Sequence, residues 1–169
     1  TKATVSSAGL VASKGNGTAT ITATSGSVSA TAAVTVAQVI SSVTLSPTTL
    51  SFSAIADTAT IVATVKDVND STIVSPTVTW ASSDETVATV SSAGLVTAVA
   101  NGTATVAVTS GSVSATSSVT VTQVAATVEV SPTSLAFSTI GDTATVSATV
   151  KDAGGTVMTG TAGTWSSSN

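Results

Sequence analysis

Residues 80–110 read WASSDETVATVSSAGLVTAVANGTATVAVTS, and their spacing decides the fold class. Ala104, Val106 and Val108 alternate with Thr103, Thr105 and Thr109, the period of a strand with one face buried. Ahead of that run, Thr86 to Val90 and Leu95 to Val99 read as two strands, split by the turn residues Ser91-Ser92-Ala93-Gly94. Asn101-Gly102 is a tight-turn signal, and Ser110-Gly111 turns the chain again. Nothing in the stretch has the 3.6-residue period of an amphipathic helix.

The same reading extends outward on both sides. Upstream, Val43-Thr44-Leu45-Ser46 begins a strand that Pro47 interrupts, as an edge strand tolerates, and Leu50 to Ser53 resumes it. Thr58 to Lys66 reads as one strand, with Ala59, Ile61, Ala63 and Val65 on one face. Val78 and Trp80 share a face on the next. Downstream, Val113, Ala115, Ser117, Val119 and Val121 form a last inward row. Seven or eight short strands thus fall in the 83 residues from Val43 to Ala125. That pattern fits two packed antiparallel sheets, with Trp80 expected as a buried anchor on the third strand. Removing such an anchor costs about 3–5 kcal/mol.

Composition agrees. Thr, Ser, Ala and Val supply 120 of the 169 residues, and there is no Arg. Val and Thr are stiff at χ1 and favour strands. Hydrophobic residues make up 42% of the chain and the net charge is −4, which argues against disorder. Charged residues are only 7%, so solubility rests on hydroxyl groups, and either neighbours in an assembly or glycan would cover so neutral a surface. The four lysines, Lys2, Lys14, Lys66 and Lys151, form no patch, which speaks against nucleic acid. No apolar run approaches the roughly 18 residues of a membrane span. The sequence opens without a charged and then apolar leader, so any export signal or anchor is expected outside this window.

Shifted by 85 residues, the sequence matches itself without a gap at 49 of 84 positions. Pro47 falls on Pro132, Trp80 on Trp165, Gly9 on Gly94 and Gln38 on Gln123. The domain reading is therefore one complete repeat at 43–125, the C-terminal half of a repeat at 1–42 and the N-terminal half at 126–169. Thr1 aligns with Thr86 and Asn169 with Asp84, so one residue, the counterpart of Glu85, would join the chain's end to its own beginning. Neither half, at about 42 residues, can bury an adequate core alone. The expectation is a head-to-tail array, preferably one long polypeptide, with Asn169 within about 7 Å of a neighbouring Thr1.

The segments VTLSPTTLSF (43–52), TATIVATVKD (58–67) and TVTW (77–80), running on through the stretch quoted above, resemble the bacterial immunoglobulin-like group 2 domain. WASSDETVATVSSAGLVTA carries most of the specificity. The family's modules occur in intimin-type and invasin-type adhesins, in surface-layer and cell-wall proteins and in some phage structural proteins. The resemblance implies an all-β fold of tandem immunoglobulin-like sandwiches. It also implies a spacer, stalk, adhesin shaft or filament subunit that is extracellular or at the cell surface. Its partners would be further copies of itself, with a cell-surface glycan or protein as an additional target. A phage tail or capsid module and a carbohydrate-binding module are the alternatives.

The residue inventory leaves little room for catalysis. With no His and no Cys, Ser–His, Cys–His and zinc sites are absent, and no cofactor is expected. Asp67-Val68-Asn69-Asp70 is the densest oxygen cluster and a candidate for calcium. Its counterpart Asp152-Ala153-Gly154-Gly155 keeps one acid, so the reading is a loop turn and no metal site. Asn16-Gly17-Thr18, Asn69-Asp70-Ser71 and Asn101-Gly102-Thr103 fit the N-glycosylation pattern, but Asn-Gly is better read as a turn. Lys66 and Lys151, each followed by Asp at a strand end, are candidates for a Lys–Asn isopeptide bond, but lysines at loop mouths explain them better. Trp80, Trp165, Phe52 and Phe137 are the only aromatic residues, and all sit at core-like positions rather than on a sugar-stacking platform.

Overall fold

The structure is a computed structural model that describes residues 1–161 and 163–168; it consists of strands and turns, with no helix among the described residues. In chain order the first strands are β1 (Ala3–Val5), β2 (Val11–Ser13), β3 (Gly17–Ser25), β4 (Val28–Val36) and β5 (Ile40–Ser46). Then come β6 (Thr49–Phe52), β7 (Thr58–Thr60), β8 (Val62–Asp67), β9 (Thr79–Ser82) and β10 (Ala88–Val90). The last are β11 (Leu95–Ala98), β12 (Gly102–Ser110), β13 (Val113–Val121), β14 (Ala125–Ser131) and β15 (Ser147–Asp152). Two compact units are present: Thr1–Val43 with Thr64–Pro76, and Thr44–Ala63 with the described residues from Thr77 onward.

The second unit holds the larger core. One sheet runs β6-β13-β12-β9 and the other β10-β11-β7. All neighbours are antiparallel except β6 and β13, which pair in parallel from Thr49 opposite Ser118 to Phe52 opposite Val121. On β12, Ala104, Val106 and Val108 are buried while Thr103, Thr105 and Thr109 are exposed, as the alternation predicts. On β13 the row Ser117, Val119 and Val121 is buried. Ile61, Val96, Ala98 and Phe52 belong to the same core. Each buried aliphatic side chain contributes about 1.5–3 kcal/mol relative to leaving it in water. The two buried serines are satisfied: Ser110 Oγ donates to the Thr77 carbonyl at 2.8 Å and Ser117 Oγ to that of Pro47 at 3.2 Å. Left unpaired, each would cost about 1–3 kcal/mol.

Three expectations need correction. The strand expected over Thr58 to Lys66 is broken at Ile61: β7 pairs with β11, whereas β8 pairs with β5. Ile61 N donates to Gly94 O at 2.9 Å, and the inward alternation continues through the break. Periodicity does not reveal a change of partner that keeps the same side chains inward. Second, the strand expected from Thr86 starts only at Ala88, because Asp84 caps the preceding turn. Its Oδ1 accepts from Thr86 N at 2.9 Å and Thr86 Oγ1 at 2.6 Å. Third, Trp80 is partly buried rather than enclosed. It lies on β9 opposite Val108, and its ring covers Gly94. Gly94 has φ +79°, and a Cβ there would run into the Ile61 carbonyl and come within 3.0 Å of the indole. The glycine is thus required both by its left-handed backbone and by the ring above it.

The flanking segments keep some of the repeat's strand positions. β3 and β4 pair Gly17 with Val36 and Ser25 with Val28, 85 residues before Gly102 with Val121 and Ser110 with Val113. β1 and β2 pair Ala3 with Ser13, as β10 and β11 pair Ala88 with Ala98. β14 and β15 occupy the positions of β5 and β8 one period later, and pair with each other. The counterparts of β6, β7 and β9, at 134–137, 143–145 and among the described residues of 164–167, form no strand. In the complete repeat those three strands pair with β13, β11 and β12, which follow them in the chain. Phe137 and Trp165 are accordingly 53% and 61% exposed, where Phe52 is 8% exposed. Asn169, whose approach to a neighbouring Thr1 the register predicts, lies outside the described residues.

Candidate functional site

The polar side chains gather at turns, where strand ends leave backbone groups to satisfy. Asp67 closes the turn after β8. Its Oδ1 accepts from Asn69 N and Ser71 N, both at 2.9 Å, and Asp67 N donates to Ser71 O at 2.9 Å. Lys66 Nζ reaches Asp70 Oδ1 at 2.9 Å. The cluster weighed for calcium is therefore organised as a hydrogen-bonded turn, with its oxygens facing N–H groups. No group of three or more acids that could hold a metal ion occurs among the described residues.

Asp152, one period later, is 2% exposed. Its Oδ1 accepts from Thr156 N at 2.8 Å, and its Oδ2 accepts from Ile55 N at 3.0 Å and from Gln123 Nε2 at 2.8 Å. Gln123 is held in turn by Asn101, whose Oδ1 accepts from Gln123 N at 2.7 Å and whose Nδ2 donates to Gln123 Oε1 at 3.1 Å. In the first unit Asn16 Oδ1 accepts from Gln38 N at 2.6 Å, and Gln38 Nε2 donates to Asp67 Oδ2 at 2.9 Å. The hydrogen bond from glutamine, above all, holds the carboxyls of Asp67 and Asp152 below the usual carboxylate range. Backbone donors add to it: Ser71 N and Asn69 N at Asp67, Ile55 N and Thr156 N at Asp152. Asp84 is lowered too, by the Thr86 hydroxyl and amide.

Sequence reasoning placed Asp67 in a turn and read both Asn-Gly pairs as turns. It did not find that the asparagine and glutamine side chains connect. One signal was available: Gln38 and Gln123 are the only two glutamines, and they stand one period apart. Asn16 and Asn101, read as turn residues in glycosylation-like triplets, carry side chains bonded to the chain after β4 and β13. Lys66 and Lys151 pair with carboxylates, the latter with Glu129 at 2.8 Å. Phe137 and Trp165 are exposed, whereas their counterparts Phe52 and Trp80 are buried and partly buried. Among the described residues, no helix is long and apolar enough to cross a membrane.

With fold and turns in view, residues 39–121 match the family model of the bacterial Ig-like domain (group 2). That segment belongs to this family, and the flanking segments repeat its sequence at 85-residue spacing. No curated protein matches the chain. Among solved structures, domains 4 and 5 of the S-layer protein SbsC are similar at 27% identity and TM-score 0.47, over 71% of this chain and 65% of that one. Domains 1–6 of the surface layer protein SbsC are similar at 24% identity and TM-score 0.49, over 93% of this chain and 22% of that one. Domains 4–9 give 24% and 0.49, over 92% and 27%. The chain thus spans less than two thirds of the length of each. The fold assignment rests on the family match and the strand pairing.

Proposed function

We propose that the chain is a stretch of a structural repeat array in a long bacterial protein that is extracellular or at the cell surface. It serves there as a stalk, adhesin shaft or filament subunit, without enzymatic activity. Repeats follow head to tail: segment 126–169 supplies the first half of a sandwich and a segment equivalent to 1–42 supplies the second. The observation that carries this reading is the unpaired half-repeat. Strands β14 and β15 hold the positions of β5 and β8, while Phe137 and Trp165 stay exposed at core positions. What those positions lack is the set of strands that β10 to β13 supply in the complete repeat. The low charge of the chain permits close approach of neighbours. Bacterial Ig-like domains of group 2 in surface proteins give the localisation its support.

The test extends the chain past residue 169 by a second copy of residues 85–127. The expected result is that Trp165 becomes as shielded from acrylamide as Trp80, with new protected amides at 134–137, 143–145 and 164–167. A Trp165 that remains fully quenchable in the extended chain would overturn the head-to-tail reading.

A further inference from the structure

The two Asn–Gln–Asp chains share more than their chemistry. Asn16 to Gln38 and Asn101 to Gln123 are both 22 residues apart, and Gln38 to Asp67 and Gln123 to Asp152 are both 29. Each asparagine lies in the turn before a long hairpin, β3–β4 or β12–β13. Each glutamine lies in the short segment after that hairpin, and each aspartate ends the strand, β8 or β15, that pairs with the first strand of the next repeat. We infer that Asn–Gln–Asp is a clasp between consecutive repeats, in which the connecting segment carries a glutamine that binds the carboxylate of the following repeat and so fixes the joint without a metal ion.

The chemistry selects glutamine. Its Nε2 must donate to a carboxylate while, in the second copy, its Oε1 accepts from Asn101 Nδ2. Lysine has no acceptor, and glutamate would set two carboxylates against each other. The asparagine fixes the backbone of the connection, which positions the amide for the aspartate. In the second copy a further strut crosses the joint: Ile55 N, in the β6–β7 turn of the complete repeat, donates to Asp152 Oδ2. The counterpart of Ile55 for the first copy would fall before residue 1, and Asp67 is correspondingly less buried than Asp152. Gly154 admits this approach, because a Cβ there would lie 3.0 Å from the Ile55 carbonyl. Both clasps are complete within this chain, so they do not depend on closure of the array at its ends.

The experiment is hydrogen exchange, read by NMR on the intact chain, with two amides that end on the same carboxylate. Ile55 N reaches Asp152 across the joint, and Thr156 N reaches it within the hairpin. In Gln123→Ala, exchange at Ile55 should rise by about tenfold while Thr156 stays within about twofold. An unchanged Ile55, or an equal rise at both amides, overturns the clasp, the second because the hairpin rather than the joint would have loosened. Gln123→Glu covers the case in which the alanine variant does not fold. At neutral pH its carboxylate repels that of Asp152. Below about pH 5 a shared proton should restore Ile55 protection, so protection rises with acid, opposite to the wild type. A Gln123→Glu chain whose Ile55 protection does not depend on pH overturns the proposal.

Discussion

The hairpins β3–β4 and β12–β13 share one register and 15 of 20 residues, yet they differ in what covers them. Ala104, Val106, Val108, Val119 and Val121 are buried, while their counterparts Ala19, Ile21, Ala23, Val34 and Val36 are partly or fully exposed. Pairing nine residues with nine across a Gly-Ser turn needs only the hairpin's own sequence. Burial needs a facing sheet, and β10-β11-β7 provides one for β12–β13. Pairing within a hairpin is thus a local property, whereas strands such as β6, β7 and β9, and the core, are properties of the complete repeat.

The largest expected effect lies in the glycine pair. Gly94→Ala should destabilise by at least about 3 kcal/mol, since it adds a clash with the Ile61 carbonyl and the Trp80 ring to left-handed strain. Gly9 has φ +78° but nothing within 4 Å of its Cβ position, so Gly9→Ala should cost about 1 kcal/mol. Denaturant melts of both variants measure the gap; equal losses would show that strain, not packing, dominates at Gly94. Next comes Val106→Ala, expected to cost about 2 kcal/mol by leaving a cavity in a closed core. Its counterpart Ile21→Ala, at a partly exposed site, should cost less than half as much even though more atoms are removed. In an extended array that completes the repeat around Ile21, the order should reverse.

Acid separates the two clasps. Asp67 and Asp152 have depressed pKa values in the fold, so their stabilisation is complete above the unfolded value of about 3.9 and is lost as pH falls through their folded values. Thermal melts between pH 7 and pH 2 should therefore decline below about pH 4. Asp152→Asn should flatten that decline more than Asp67→Asn, because Asp152 is buried and Asp67 only partly so, each accepting three hydrogen bonds. An acid limb unchanged in both variants would move the effect to Asp84. The smallest effect belongs to Lys66→Ala, whose partner Asp70 is 82% exposed; it should change stability by less than about 0.5 kcal/mol.

The inward rows of β12 and β13 were legible in the sequence because alternation of Val with Thr is a direct record of which face is buried. The break at Ile61 was not, since β7 and β8 keep the same alternation while changing partners. Trp80 was placed on the right strand but expected to be more enclosed than it is, because periodicity gives direction and not depth. The Asn–Gln–Asp chain escaped the reading of motifs one by one: Asn-Gly has a sufficient explanation as a turn, and Gln38 and Gln123 served only to mark the repeat. The calcium argument asked whether the acid cluster recurs. Asp67 alone recurs, as Asp152, and in both copies it accepts an amide.

The clasp's spacings also bear on how such a gene can change length. Its partners sit 22 and 29 residues apart, so a whole set spans less than one 85-residue period. Unequal recombination between two copies adds or deletes whole periods, and each hybrid copy inherits an asparagine, a glutamine and an aspartate in register. A single-residue insertion within the connecting segment would instead part a glutamine from its aspartate and leave one faulty joint. With the clasp as proposed, adding or removing whole periods keeps every joint intact, whereas changing the length of one repeat breaks one.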